Sequence, residues 1–294
     1  MNSLPIWLLQ VSRTEQITPH MARITLTSED LRGFSLKEAD QQVKLYFPRH
    51  GQPRPLLPEA TESTDLMSWY QAYSAIPENE RPWMRSYTIR AHDPATDSIS
   101  FDFVLHQHAG PATQWAINAK EGDLLGAFGP TDYFARPKAL SASVDEADWV
   151  LLAGDDAAIP GMATIIESLP AGKRAFAFVE IQDAADEQSF HTDGDLTTTW
   201  LHRGAAEPGH SDALARAIRA AELPEGNGFA WLAGEAGAVR QLRRHLTDER
   251  GLPKQTIDFS GYWRLKLTQD DAPTAEDLAE AQERLAEAQA AQSG

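Results

Sequence analysis

The sequence predicts a β + α/β chain: an N-terminal antiparallel β-barrel over residues 1–140, a doubly wound parallel-sheet domain over 147–270, and a C-terminal helix over 271–294. Three observations carry this prediction. Short alternating runs fill the chain up to about residue 130, continuous apolar runs alternating with helical spacing follow, and the last stretch repeats Leu and Ala on one helical face.

The barrel strands read in order as IWLLQVSR, ARITLTS, QVKLYFP, SYTIRA, ISFDFVLH and GDLLGAFG, divided by polar or Gly/Pro punctuation. The Pro-rich stretch between Phe47 and Arg85 is too long for a hairpin; it reads as an excursion over the barrel mouth with a short helix at Leu66–Tyr73. After RPKALSASVDEAD, which reads as the boundary, WVLLAG has the continuous apolar character of a strand buried on both faces. AIPGMATIIESL then has helical spacing, and RAFAFVEI, TTTWLH, GFAWLAG and TIDFSGYW read as further strands alternating with helices. SDALARAIRAAEL and AGAVRQLRRHLTDE are two of those helices, the first with Ser211 as N-cap. In the terminal segment Thr274 precedes Asp277 by three residues, a capping pattern, and Leu278, Ala281, Leu285 and Ala288 form a thin apolar stripe expected to dock weakly.

Composition narrows the chemistry. With 294 residues and 42% apolar content the chain can bury a sizeable core, and its formal charge of -17 disfavours nucleic acid and anionic membranes. The opening MNSLPIWLLQVSR lacks a basic n-region, and no run approaches the roughly 20 apolar residues of a membrane span, so a cytoplasmic monomer is expected. Cysteine is absent, which removes disulfides, thiolate-held iron–sulfur clusters and a cysteine nucleophile. Any electrons handled here must travel on an organic cofactor.

Four stretches carry chemistry. In RSYTIR, a cation (Arg85), a hydroxyl (Ser86), an aromatic plane (Tyr87) and a second hydroxyl (Thr88) follow one another on a strand. They suit a flavin, offering a phosphate partner, a stacking surface and a polar contact for the ring edge; an ordinary edge strand is the plain alternative. In FDFVLHQHAGPATQWAINA a strand ends at His106 and a helix opens at Pro111, so Gly110 and the free first-turn amides form an anion site fit for pyrophosphate, to which Thr113 adds a hydroxyl and His106 a hydrogen bond; as the plain alternative, His106 and His108 are satisfied strand-end polar residues. LLAGDDAAIPG occupies the nucleotide-binding place of a doubly wound sheet but lacks G-x-G-x-x-G; Asp155 and Asp156 there would accept from a ribose, a base or neighbouring amides. GYWRLKL ends the last strand, where Trp263 would cover a ring or fill core, and Lys44 in VKLYF is a lone cation that snorkels or meets a ligand.

Together with WLAGEAGAVRQLRRHL, these motifs resemble the siderophore-interacting proteins, a family of FAD-dependent ferric-siderophore reductases within the ferredoxin-reductase-like fold, from about Val11 to about Gln269. The resemblance implies FAD held by Arg85, Tyr87 and Thr88 of the RSYT stretch, with Ser86 among them, and its pyrophosphate by His106, Gly110, Pro111 and Ala112. It places Asp155 near the cofactor, and Ala157 where a threonine is usual. Lys44 and a cation near Arg264 or Lys266 would contact a ferric siderophore, Lys266 standing where glycine is common. Reduced nicotinamide would supply hydride, NADH being favoured over NADPH because QDAADEQ after the second parallel strand is acidic where a 2′-phosphate needs cations. A flavin reductase that releases its flavin, or a carrier of iron chelates without turnover, would fit part of the same pattern.

Overall fold

The structure is a computed structural model that describes residues 4–61, 63–106, 110–131, 136, 138–268 and 270–293, with backbone only for 284, 285 and 287–293. Seven antiparallel strands form the first sheet: β1 (Ile6–Thr18), β2 (Met21–Thr27), β3 (Gln42–Phe47), β4 (Trp83–Thr88), β5 (Ala91–Asp93), β6 (Ser98–Val104) and β7 (Leu124–Phe128). Their order is β4-β3-β7-β1-β2-β6-β5. Alternation turns Leu9, Val11, Ile24, Leu26, Val43, Leu45, Ile99, Phe101 and Phe103 inward to one core. The sheet curls until Tyr87 on β4 meets Phe103 on β6, ring centroids 4.5 Å apart, so aromatic packing closes the barrel where hydrogen bonds do not.

The strand predicted as SYTIRA starts earlier, at Trp83, and stops at Thr88; Ile89 turns inward, and β5 resumes at Ala91. α1 (Leu66–Ser74) forms in the excursion, capped by Asp65, whose carboxylate accepts from Ser68 N at 2.9 Å. It packs Trp69 and Tyr73 on Tyr46 and Phe128, covering the barrel end. α2 (Pro111–Asn118) follows β6, and α3 (Leu140–Glu146) lies where the sequence reads as linker, held by buried Leu140 and Val144.

Parallel strands β8 (Trp149–Asp155), β9 (Arg174–Ile181), β10 (Asp195–His202), β11 (Gly228–Glu235) and β12 (Ile257–Trp263) form the second sheet in the order β10-β9-β8-β11-β12. α4 (Ile159–Glu167), α5 (Ala213–Ala220) and α6 (Ala236–Arg244) connect them, α6 continuing as a π-helical turn over His245–Glu249. Strict strand–helix alternation fails once: β9 reaches β10 through a loop with one 3-10 turn, Ala184–Asp186, and no α-helix. α5 is capped one residue later than expected, at Asp212, although Ser211 Oγ still accepts from Ala213 N at 3.1 Å. β8 passes so close to its neighbours that a Cβ on Gly154 would lie 2.3 Å from Ala158 Cβ and 2.5 Å from the Ala233 carbonyl. Gly154→Ala is therefore expected to cost about 2 kcal/mol in urea unfolding, since backbone must move to admit the methyl.

The terminal helix α7 (Ala275–Ser293) has the expected cap: Asp277 N donates to Thr274 Oγ1 at 3.2 Å and Thr274 N to Asp277 Oδ2 at 2.9 Å. It docks by charge. Leu278 is 52% exposed, whereas Asp277, Glu280 and Glu283 meet Arg240, Arg243, Lys254 and Arg264. Alanines bury too little area to compete with four cations on α6 and beside β12.

Candidate cofactor and substrate cleft

A cleft of about 750 Å³ opens between the barrel and the carboxyl ends of β8, β11 and β12, the place where strand order reverses in the parallel sheet. Antiparallel pairing of β3 with β4 sets Lys44 opposite Ser86, Leu45 opposite Arg85 and Gln42 opposite Thr88. Lys44 and Ser86 thus share a face, and Lys44 Nζ donates to Ser86 Oγ at 2.6 Å. No carboxylate pairs with Lys44 among the described residues, and burial pulls its ammonium below the usual lysine range. Tyr87, beside them, is bedded on Phe47, Phe101 and Phe103.

The far wall comes from β6 and α2. Gly110 is the N-cap of α2 with no side chain capping the first turn, Pro111 opens the helix, and nothing lies within 4 Å of where a Gly110 Cβ would be. Among the described residues no side chain caps the first-turn amides, which are thus available to an anion. Ala112, Thr113 and His106 also line the cleft, but Thr113 Oγ1 donates to Val104 O at 3.2 Å, so its proton is already spent. Burial lowers the His106 imidazole pKa, with Asp156 opposing. His108 lies outside the described residues.

Several sequence-predicted residues stand differently from expectation. Arg85 is at the cleft, yet its guanidinium forks onto Asp270 at 2.6 and 3.0 Å, a carboxylate from the segment before α7. Arg264 lines the cleft while holding Asp277 and the carbonyls of Thr268, Asp271 and Ala272. Lys266 is exposed, outside the cleft lining, in a turn with φ 67°, a left-handed position that explains why glycine suits this place. Ala157 and Trp263 line the cleft, but Asp155 sits behind them, accepting from Trp263 Nε1 at 2.8 Å, Glu235 N at 2.8 Å and Ala157 N at 3.0 Å. Of the partners considered for Asp155, neighbouring amides and an indole take its oxygens. Asp156 is taken by Arg203 at 2.7 Å.

The acids of QDAADEQ are engaged inside the protein: Asp183 caps Ala185, Asp186 holds His20 at 2.8 Å, and Glu187 holds His202 at 2.8 Å. They leave the choice between NADH and NADPH open. Tyr262, the first of the aromatic pair in GYWRLKL, lines the cleft beside Trp263. Sequence reasoning missed Asp40, Gln42, Arg240 and Asp270. All but Asp40 and Asp270 line the cleft, and those two hold residues that do. No three His, Cys, Asp or Glu side chains among the described residues gather to hold a metal ion.

A barrel that presents a cation, an aromatic ring and hydroxyls across a cleft from the switch point of a parallel sheet has the architecture of a flavin oxidoreductase. Residues 10–133 match the model of the siderophore-interacting FAD-binding domain and residues 147–266 that of the siderophore-interacting protein. The chain belongs to the siderophore-interacting protein family. It is 30% identical over 261 residues to the ferric vibriobactin reductase of Vibrio cholerae, covering 87% of this chain and 89% of that one. It is 28% identical over 269 residues to the NADPH-dependent ferric-chelate reductase of Escherichia coli, covering 90% and 95%. The crystal structure of a siderophore utilization protein from T. fusca superposes with a TM-score of 0.76 at 35% identity, covering 92% of this chain and 97% of that one.

Proposed function

We propose that this protein is an FAD-dependent ferric-siderophore reductase that draws electrons from NAD(P)H. The observation that carries the reading is Lys44: a desolvated ammonium with no carboxylate partner among the described residues, lining the same cleft as Tyr87 and the first turn of α2, in an otherwise acidic protein. FAD, when bound, would supply the link between two-electron hydride acceptance from a nicotinamide and one-electron delivery to ferric iron held in an organic chelate. The chain's own residues position and screen. Arg85 and the amides of Gly110, Ala112 and Thr113 would hold phosphate, Ser86, Tyr87 and Thr88 would frame the ring, and Trp263, anchored by Asp155, would wall the side facing the parallel sheet. Lys44 and Arg264 supply positive charge for a chelate that the overall field of -17 would repel if anionic. His106 stays neutral near pH 7 and donates one hydrogen bond at most. The ferric siderophore is substrate, the working unit is a single chain, and the compartment is the cytoplasm.

The test is the visible spectrum of the purified protein, followed anaerobically by NADH or NADPH and then by a ferric chelate with a ferrous-iron trap. A flavin spectrum that bleaches with the nicotinamide and recovers as ferrous iron appears is expected. A colourless protein that takes up no added FAD overturns the reading; flavin that bleaches but dissociates points to a flavin reductase, and bound chelate without bleaching to a carrier.

A further inference from the structure

Asp40 precedes β3 in a loop with no local pattern, and its side chain gathers the junction between the two sheets. It is 2% exposed and adopts a left-handed φ of 54°. Its Oδ1 accepts from Tyr262 Oη at 2.8 Å and Thr88 Oγ1 at 3.3 Å; its Oδ2 accepts from Arg136 Nη2 at 2.6 Å and Trp231 Nε1 at 3.0 Å. Its own N–H donates to Thr164 Oγ1 at 2.9 Å. The space is built for a carboxylate, because a Cβ on Gly161 would stand 2.7 Å from Oδ1. Burial raises the Asp40 pKa, Arg136 opposes it, and four donors on two oxygens satisfy the ionised form.

The proton inventory of the cleft wall follows. Tyr262 and Thr88 each have one hydroxyl proton, and both point inward to Asp40; Tyr262 Oη also accepts from Gln42 Nε2 at 3.2 Å. Tyr262 Oη is spent on Asp40, Gln42 and Thr88, so it is Thr88 Oγ1, on the cleft lining, that offers lone pairs. At this point of the wall a partner with an N–H is favoured. A reduced isoalloxazine carries one N–H that the oxidised ring lacks.

We infer that Asp40 is a positioning residue of the redox site: by drawing the proton of Thr88 away from the cleft, it favours the reduced flavin and raises the potential of the bound couple. This rests on the reading that the flavin lies against Thr88. In Asp40→Asn, Arg136 and Trp231 are obligate donors, so the Asn carbonyl turns to them and its amide donates to Thr88 and Tyr262. The Thr88 proton then swings into the cleft and stabilises the oxidised ring.

The experiment is a dye-coupled reductive titration of the holoprotein at fixed pH. Asp40→Asn is expected to retain FAD and shift the midpoint potential negative by about 30 mV, a tenfold loss in preference for the reduced form, as one hydrogen bond of about 1.4 kcal/mol requires. In a Thr88→Val background at least half the shift is expected to disappear, which a merely structural role for Asp40 would not produce. An unchanged potential in a yellow Asp40→Asn protein, or a shift that persists in full in the Thr88→Val background, overturns the inference. Should Asp40→Asn not fold, Thr88→Val reads the same wall: it is expected to lower the potential, and no change is equally fatal. A wild-type protein that binds no FAD overturns the functional reading, and this inference with it; a flavoprotein whose potential ignores Asp40 overturns this inference alone.

Discussion

Arg85→Ala is expected to weaken FAD binding by about 100-fold. In the structure Arg85 forms a bidentate pair with Asp270, its side chain 12% exposed and the carboxylate 54% exposed. A guanidinium held this way is preorganised for phosphate, whose oxygens match the same fork. Two charge-assisted hydrogen bonds at about 1.5 kcal/mol each give about 3 kcal/mol, which is roughly two decades in dissociation constant. Asp270 is the competing ligand, so its removal acts in the opposite direction. An ion pair with one half-exposed partner is worth about 1 kcal/mol or less, and Asp270→Asn should tighten FAD by no more than about fivefold. Both constants come from quenching of flavin fluorescence as apoprotein is titrated. Wild-type affinity in Arg85→Ala would remove Arg85 from the phosphate site, and a loss of affinity in Asp270→Asn would show that the pair assembles the site instead of competing for it.

The two predictions about Arg85 also show how far the chain could be read without coordinates. RSYT and the helix opening at Pro111 were legible because each is local: a strand, or a strand followed by a cap, puts its own residues at the cleft edge. The parallel strands were legible for the same reason, since β8 and β11 are buried along nearly their whole length. Asp40 was not legible. Its partners stand at 88, 136, 231 and 262, and nothing in EADQQVK distinguishes it from a surface acid. Asp270 is equally silent, because its partner Arg85 lies 185 residues away and a cation reserved for phosphate looks the same in sequence as one already paired. The docking of α7 was legible only in part. Its thin apolar stripe leaves Leu278 exposed, as so little area implies, whereas the acids at 277, 280 and 283, spaced three apart, are the face that lands. Lys266 and Asp155 were placed at the cleft by sequence neighbourhood, but a left-handed turn carries one away from it and hydrogen bonding to Trp263 and the β11 end draws the other behind it.

Asp155 should make stability fall as pH rises from about 4 toward neutrality. Burial first, then the neighbouring charge of Asp156, pushes its carboxyl up to about 7, against three hydrogen bonds that favour ionisation. In the unfolded chain it titrates near 4. Between those values the folded protein holds a proton that the unfolded one has released, so the stabilisation is complete below pH 4 and is lost on the way to pH 7, with a plateau above. For a raised carboxylate of this size the span is on the order of a few kcal/mol. Other groups titrate over the same range, His106 among them, and the comparison with Asp155→Asn cancels them. The amide can still accept from Trp263 Nε1 and Glu235 N but not also from Ala157 N, a constant loss at every pH. Urea unfolding from pH 4.5 to 8.5 should therefore show the wild-type midpoint falling relative to the variant. Parallel profiles would mean that the three hydrogen bonds outweigh burial, and that Asp155 holds Trp263 against the cleft as an ordinary carboxylate throughout.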